Sequence, residues 1–225
     1  MIRILKYGEV DNADIFARSV PEVDVQKIVS DIIADVRARG DQALYEYCEK
    51  FDRVKLDALE VTPAEIDEAF TLVESEFIDV LKTAAANIRQ FHEKQVRNSF
   101  IITERPGVVM GQKVTPLDRV GLYVPGGTAA YRSTVLMDAI PAKIAGCQEI
   151  VITTPPGRDG KINPAILAAA KVAGVDRVFK VGGAQAVAAL AYGTNTVPCV
   201  DKIVGPGNAF VAEAKKQCSA GWPST

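Results

Sequence analysis

The residues whose types and spacing promise chemistry lie between Val120 and Phe210, where three glycine-bearing loops each follow a short apolar run. They read Gly121-Leu-Tyr-Val-Pro-Gly-Gly127, Val181-Gly-Gly-Ala-Gln-Ala186 and Val204-Gly-Pro-Gly-Asn-Ala-Phe210. Glycine where a strand hands over to a helix lets backbone N–H groups approach a ligand closely, and a helix N-terminus favours negative charge. Three such loops in one unit predict a single crevice for a phosphate-bearing or anionic ligand. Tyr123 ends a strand just before Pro-Gly-Gly, where it can stack on or hydrogen-bond a ligand, or else face the core. Gln185 and Asn208 stand at the first turns of two helices and carry amide side chains toward the same edge. No loop is a GxGxxG, and the second strand ends in Thr153-Thr154-Pro155-Pro156, with no acidic residue for a ribose hydroxyl. An ordinary dinucleotide fingerprint is therefore absent.

Other reactive groups are sparse. His92 is the only histidine; four residues past Ile88, it borders an apolar helical face and reads as a partly buried structural residue. The four cysteines, Cys48, Cys147, Cys199 and Cys218, show no CxxC spacing and read as scattered reduced thiols, so a transition-metal site within these residues is not expected. One histidine cannot supply a Ser-His-Asp or Cys-His arrangement. An aldehyde-dehydrogenase-like enzyme would need Cys147 or Cys199 in the crevice, and both precede strands, at the wrong end of a parallel sheet. Glu104 and Asp118 read as solvated turn residues.

The elements that must position the loops follow from periodicity. Val25, Ile28, Val29, Ile32, Ile33 and Val36 form one helical stripe stopped by Gly40, and Ala43 to Phe51 continues as a short helix. Thr62-Pro63-Ala64-Glu65 is a capping box opening a third helix, and Phe77, Leu81, Ala84, Ile88 and Phe91 mark a long fourth. This block shows no site chemistry and reads as packing material or a dimer arm. Phe100–Pro116 suggests two short strands and a turn. Strands at Val120–Val124, Glu149–Thr153, Arg177–Lys180 and Lys202–Val204 then alternate with helices near 134–145, 164–172, 184–192 and 209–217. The expected fold is α/β: a Rossmann-like doubly wound parallel-sheet domain over 116–217. It is preceded by a helical segment with short strands over 1–115 that belongs to an incomplete second α/β domain. Residues 218–225, with Trp222, read as an irregular tail.

Composition sets outer limits. The 225 residues are 48% hydrophobic, enough for a substantial core, and the net charge of −2 points to neither nucleic acid nor an anionic membrane. No run approaches membrane-spanning length and the N-terminus lacks a leader-like apolar stretch, so a cytoplasmic location is expected.

Longer motifs add a resemblance. Pro116-Leu-Asp-Arg-Val-Gly-Leu-Tyr-Val-Pro-Gly-Gly127, Ser133-Thr-Val-Leu-Met137, Pro141-Ala-Lys-Ile-Ala-Gly-Cys147, Val181-Gly-Gly-Ala-Gln-Ala-Val-Ala-Ala-Leu-Ala191 and Val200-Asp-Lys-Ile-Val-Gly-Pro-Gly-Asn-Ala-Phe-Val211 resemble the histidinol dehydrogenases, densely from about Ile28 to Lys216. The resemblance implies oxidation of L-histidinol to L-histidine with two NAD, at the end of histidine biosynthesis, by a zinc-dependent homodimer with an incomplete Rossmann-like pair of domains. It places NAD contacts at Tyr123, Gln185 and Asn208. The family's glutamate–histidine acid/base pair, its Ala-Gly-Pro-Ser-Glu segment and its zinc ligands find no counterpart in these residues. The resemblance thus implies an N-terminal portion, inactive by itself. The alternative is a non-catalytic nucleotide-binding or interaction module.

Overall fold

The computed structural model describes residues 4–16, 24–126 and 131–219. In chain order the elements are α1 (Asn12–Phe16), α2 (Val25–Arg39), α3 (Asp41–Tyr47), one turn of π-helix (Cys48–Asp52), α4 (Pro63–Leu72) and α5 (Ser75–His92). An antiparallel hairpin follows, β1 (Phe100–Ile102) and β2 (Met110–Gln112). The remainder is β3 (Arg119–Tyr123), α6 (Arg132–Ala145), β4 (Glu149–Thr153), α7 (Pro164–Ala173), β5 (Arg177–Phe179), α8 (Gly183–Tyr192), β6 (Lys202–Val204) and α9 (Ala209–Ser219).

Strands β3 to β6 pair in parallel in the order β5-β4-β3-β6. The chain steps outward from β3 to β5, then returns through α8 to place β6 on the far side of β3. The strand order therefore reverses between β3 and β6, and in open α/β sheets such a reversal opens a crevice beyond the strand carboxyl ends. Side chains alternate between two cores. Val120, Leu122, Ile150, Ile152 and Val178 face α6 and α7, while Tyr123, Val151 and Phe179 face α8 and α9.

The helical block before the sheet is built into both cores. Helices α2 and α3 bury Val29, Ile32, Val36 and Leu44 against α8 and α9, and α4 and α5 bury Ala69 and Leu81 against α6 and α7. The predicted features are in place: Gly40, at φ 57°, closes α2, and Thr62 and Glu65 form the reciprocal capping box of α4. Beyond the periodicity, Leu59–Val61 runs antiparallel along β5, with Lys180 N–H donating to Leu59 O at 2.7 Å and Val61 N–H to Val178 O at 2.9 Å. His92 is half-buried, its Nδ1 2.7 Å from Gln95 Oε1. One boundary is corrected. Cys218 and Ser219, expected to begin an irregular tail, are the last residues of α9, because Cys218 is buried in the core shared with α2. Trp222 lies outside the described residues.

Candidate functional site

A cavity of about 830 Å³ opens beyond the carboxyl ends of the strands. Every strand of the parallel sheet leads into it: Tyr123 at the end of β3 with Pro125 and Gly126 after it, Pro155 after β4, Gly183 to Gln185 after β5, and Pro206 to Asn208 after β6. The three residues expected to face a ligand, Tyr123, Gln185 and Asn208, all line it. Gly127, the last glycine of the first loop, lies outside the described residues.

Asn208 immediately precedes α9, and its Oδ1 accepts the Val211 N–H at 3.1 Å. That bond caps the helix with the oxygen and leaves the amide N–H groups to donate elsewhere. Tyr123 is buried, and its hydroxyl oxygen accepts the Gly183 N–H at 3.1 Å. Burial raises the Tyr123 pKa above the ordinary phenol value, against the lowering effect of the Gly183 bond. The phenol therefore stays neutral and keeps its proton to donate. Gln185 stands in the first turn of α8 and is 2% exposed, so it forms the floor of the cavity rather than its rim. The other N–H groups of that turn have no acceptor within the helix. Gly205, at φ +109°, packs so tightly on the Tyr123 carbonyl that a Cβ would collide with it, and Lys215 donates to the Gly205 carbonyl from α9.

The expectation that the first hundred residues bring nothing to the site is corrected. Ile28, Ile32, Phe51 and Asp52 line the same cavity. Asp52 ends the π-helical turn, and the next residue, Arg53, is left-handed at φ 59°, the only described non-glycine residue with positive φ. This turn, a rare geometry that recurs at functional sites, directs Asp52 inward. Asp52 Oδ2 is buried with no hydrogen-bond partner among the described residues, and burial raises its pKa to about 6. The helical period could not reveal this, because a π-turn breaks the spacing on which the period rests. Beneath it, burial first and the Asp52 charge second push the Cys48 thiol up to about 12. Cys48 is therefore an inert core residue, donating to Lys180 O at 3.4 Å. Neither Cys147 nor Cys199 lines the cavity.

Parallel strands, helices on both faces and a crevice at a strand-order reversal define a doubly wound α/β protein with a candidate ligand site. The family description "Histidinol dehydrogenase" matches residues 17–222, and the chain belongs to that family. It is 54% identical to a histidinol dehydrogenase of Clostridium acetobutylicum over 96% of this chain and 51% of that protein. It is 57% identical to one of Geobacillus kaustophilus over 85% of this chain and 45% of the relative. The crystal structure of histidinol dehydrogenase from Elizabethkingia anophelis superposes with a TM-score of 0.86 at 42% identity, covering 90% of this chain and 47% of that one. The chain thus spans about half the length of the relatives it matches.

Proposed function

We propose that this chain contributes the NAD-binding crevice of an enzyme that oxidises L-histidinol to L-histidine. The observation that carries the reading is the convergence of Tyr123, Gln185 and Asn208 on one cavity at the strand-order reversal. The cavity also suits the cofactor in size, lying in the range that encloses small ligands. Asn208 would donate through its amide, Tyr123 through its hydroxyl, and the free N–H groups at the start of α8 would face negative charge. NAD, when bound, supplies the hydride acceptor. The chain's own residues orient it and exclude water with Ile28, Ile32, Phe51 and Phe210.

For zinc the fit is different. No group of three or more His, Cys, Asp or Glu converges among the described residues, so the ligand set implied by the resemblance is not found there. The reading further includes a homodimeric, cytoplasmic whole protein. A subunit interface would cover exposed Ile101, Val109 and Met110 on and beside the β1–β2 hairpin. No described helix is long and apolar enough to cross a membrane.

The test is NAD titration of the purified 225-residue chain, followed by NADH formation with L-histidinol and zinc. Saturable NAD binding without turnover is the expected result. Turnover would place a base and a substrate site within these residues. Absence of NAD binding would favour a non-catalytic interaction module.

A further inference from the structure

Asp52 alone is charged among the described residues that line the cavity. Its Oδ2 is buried and makes no hydrogen bond with any described residue. A carboxylate oxygen buried without a hydrogen-bond partner is costly to keep. Its location is specific. A second cavity, of about 770 Å³, adjoins the first, and Phe51, Asp52, Gly126 and Pro155 line both. Asp52 therefore sits at the passage between them, over the end of β4.

In doubly wound nucleotide sites, the end of the second strand ordinarily supplies an acidic residue for the ribose hydroxyls. Here that strand is β4, followed by Thr154, Pro155 and Pro156. The hydroxyls of Thr153 and Thr154 are themselves buried and without partners among the described residues. β4 itself ends without a carboxylate, and Asp159 in the turn beyond it is exposed and accepts the Lys161 N–H at 3.1 Å; the carboxylate at the passage arrives from outside the βαβ unit. We propose that Asp52 accepts the hydrogen bonds of the adenosine ribose and, through its charge, selects NAD against NADP. This inference rests on the reading of the crevice as a NAD site.

Two cations rim the second cavity. Lys161 is held by Glu68 at 3.0 Å, and Arg158 is exposed in the turn after β4. Neither occupies the buried passage, so a 2′-phosphate lodged there would meet Asp52 first.

The experiment is calorimetric titration of the wild-type chain and of Asp52→Asn with NAD, NADP and 2′-deoxy-NAD. The wild type is expected to bind NAD at least about tenfold more tightly than either analogue, the size of effect one buried hydrogen bond sustains. In Asp52→Asn the NADP penalty should largely disappear while NAD weakens severalfold. The wild-type comparison varies only the ligand, so it holds even if the variant folds poorly. NAD binding with no discrimination in the wild type overturns the role of Asp52 and leaves the cofactor reading intact. NADP preference overturns it likewise and assigns the ribose end to Arg158. No saturable NAD binding removes the cofactor reading, and this inference with it.

Discussion

Asn208 carries one atom for the observed cap and one for the proposed ligand contact, and the two can be separated. Its oxygen caps α9, and its amide nitrogen remains for a ligand. Asn208→Ser should keep most of the cap while weakening NAD severalfold. Asn208→Ala should lose both, with about 1 kcal/mol of stability going with the cap; thermal melts alongside titration distinguish the two variants. Gln185→Ala should weaken NAD with an unchanged far-UV circular dichroism spectrum, whereas loss of the fold would make Gln185 a structural residue. Asp52 adds a pH signature. Its folded pKa, about 6, lies above the ordinary carboxylate value of 3.8 because burial penalises the charge. The folded state therefore holds a proton that the unfolded chain has released, and this group's contribution to stability rises as pH falls from above 6 toward 4. Asp52→Asn should raise the melting temperature at pH 8, with the gain shrinking toward pH 5. A gain that stays constant with pH would mean that Asp52 is solvated as freely as a surface carboxylate.

At the scale of elements, two junctions determine whether the crevice has its shape. The capping box of α4 uses Thr62 and Glu65 reciprocally, and Glu65 also pairs with the buried Lys180 just beyond β5. Thr62→Ala should cost about 1 kcal/mol, as cap removals do. Glu65→Ala should cost more, about 3 kcal/mol, because it leaves a buried ammonium without its partner; chemical denaturation of both variants gives the ordering. The second junction is the turn after β6. Gly205 combines a left-handed φ with contact against the Tyr123 carbonyl. Gly205→Ala should therefore push β6 away from β3, lowering the melting temperature and NAD affinity together.

At the scale of the molecule, the helices before the sheet and the helices within it share cores. Leu44 is fully buried in the cluster that holds Phe179, Val187 and Leu190. Leu44→Ala should cost about 2–5 kcal/mol. More tellingly, unfolding followed by circular dichroism and by tyrosine fluorescence should show one coincident transition. Two separated transitions would mean that residues 1–115 unfold independently of the parallel sheet.

The parallel α/β class, each strand–helix alternation after Arg119, the capping box and the three residues that come together on the crevice were all legible in the residues. Each is encoded locally, by apolar period, by glycine at a turn or by an amide at a helix start. The family resemblance was legible too, because its motifs are long and ordered. Strand order was not, since nothing in a strand's own residues says which neighbour it will take; the reversal between β3 and β6 exists only once α8 has crossed the sheet. The extension of α9 through Cys218 was set by a contact with α2, nearly two hundred residues away in sequence. Asp52 was the largest omission. Its charge, its position after Glu49-Lys50-Phe51 and its neighbours are unremarkable in one dimension, and only the tertiary fold, by bending a π-turn over the end of β4, places a half-buried carboxylate at the passage where the end of β4 provides none.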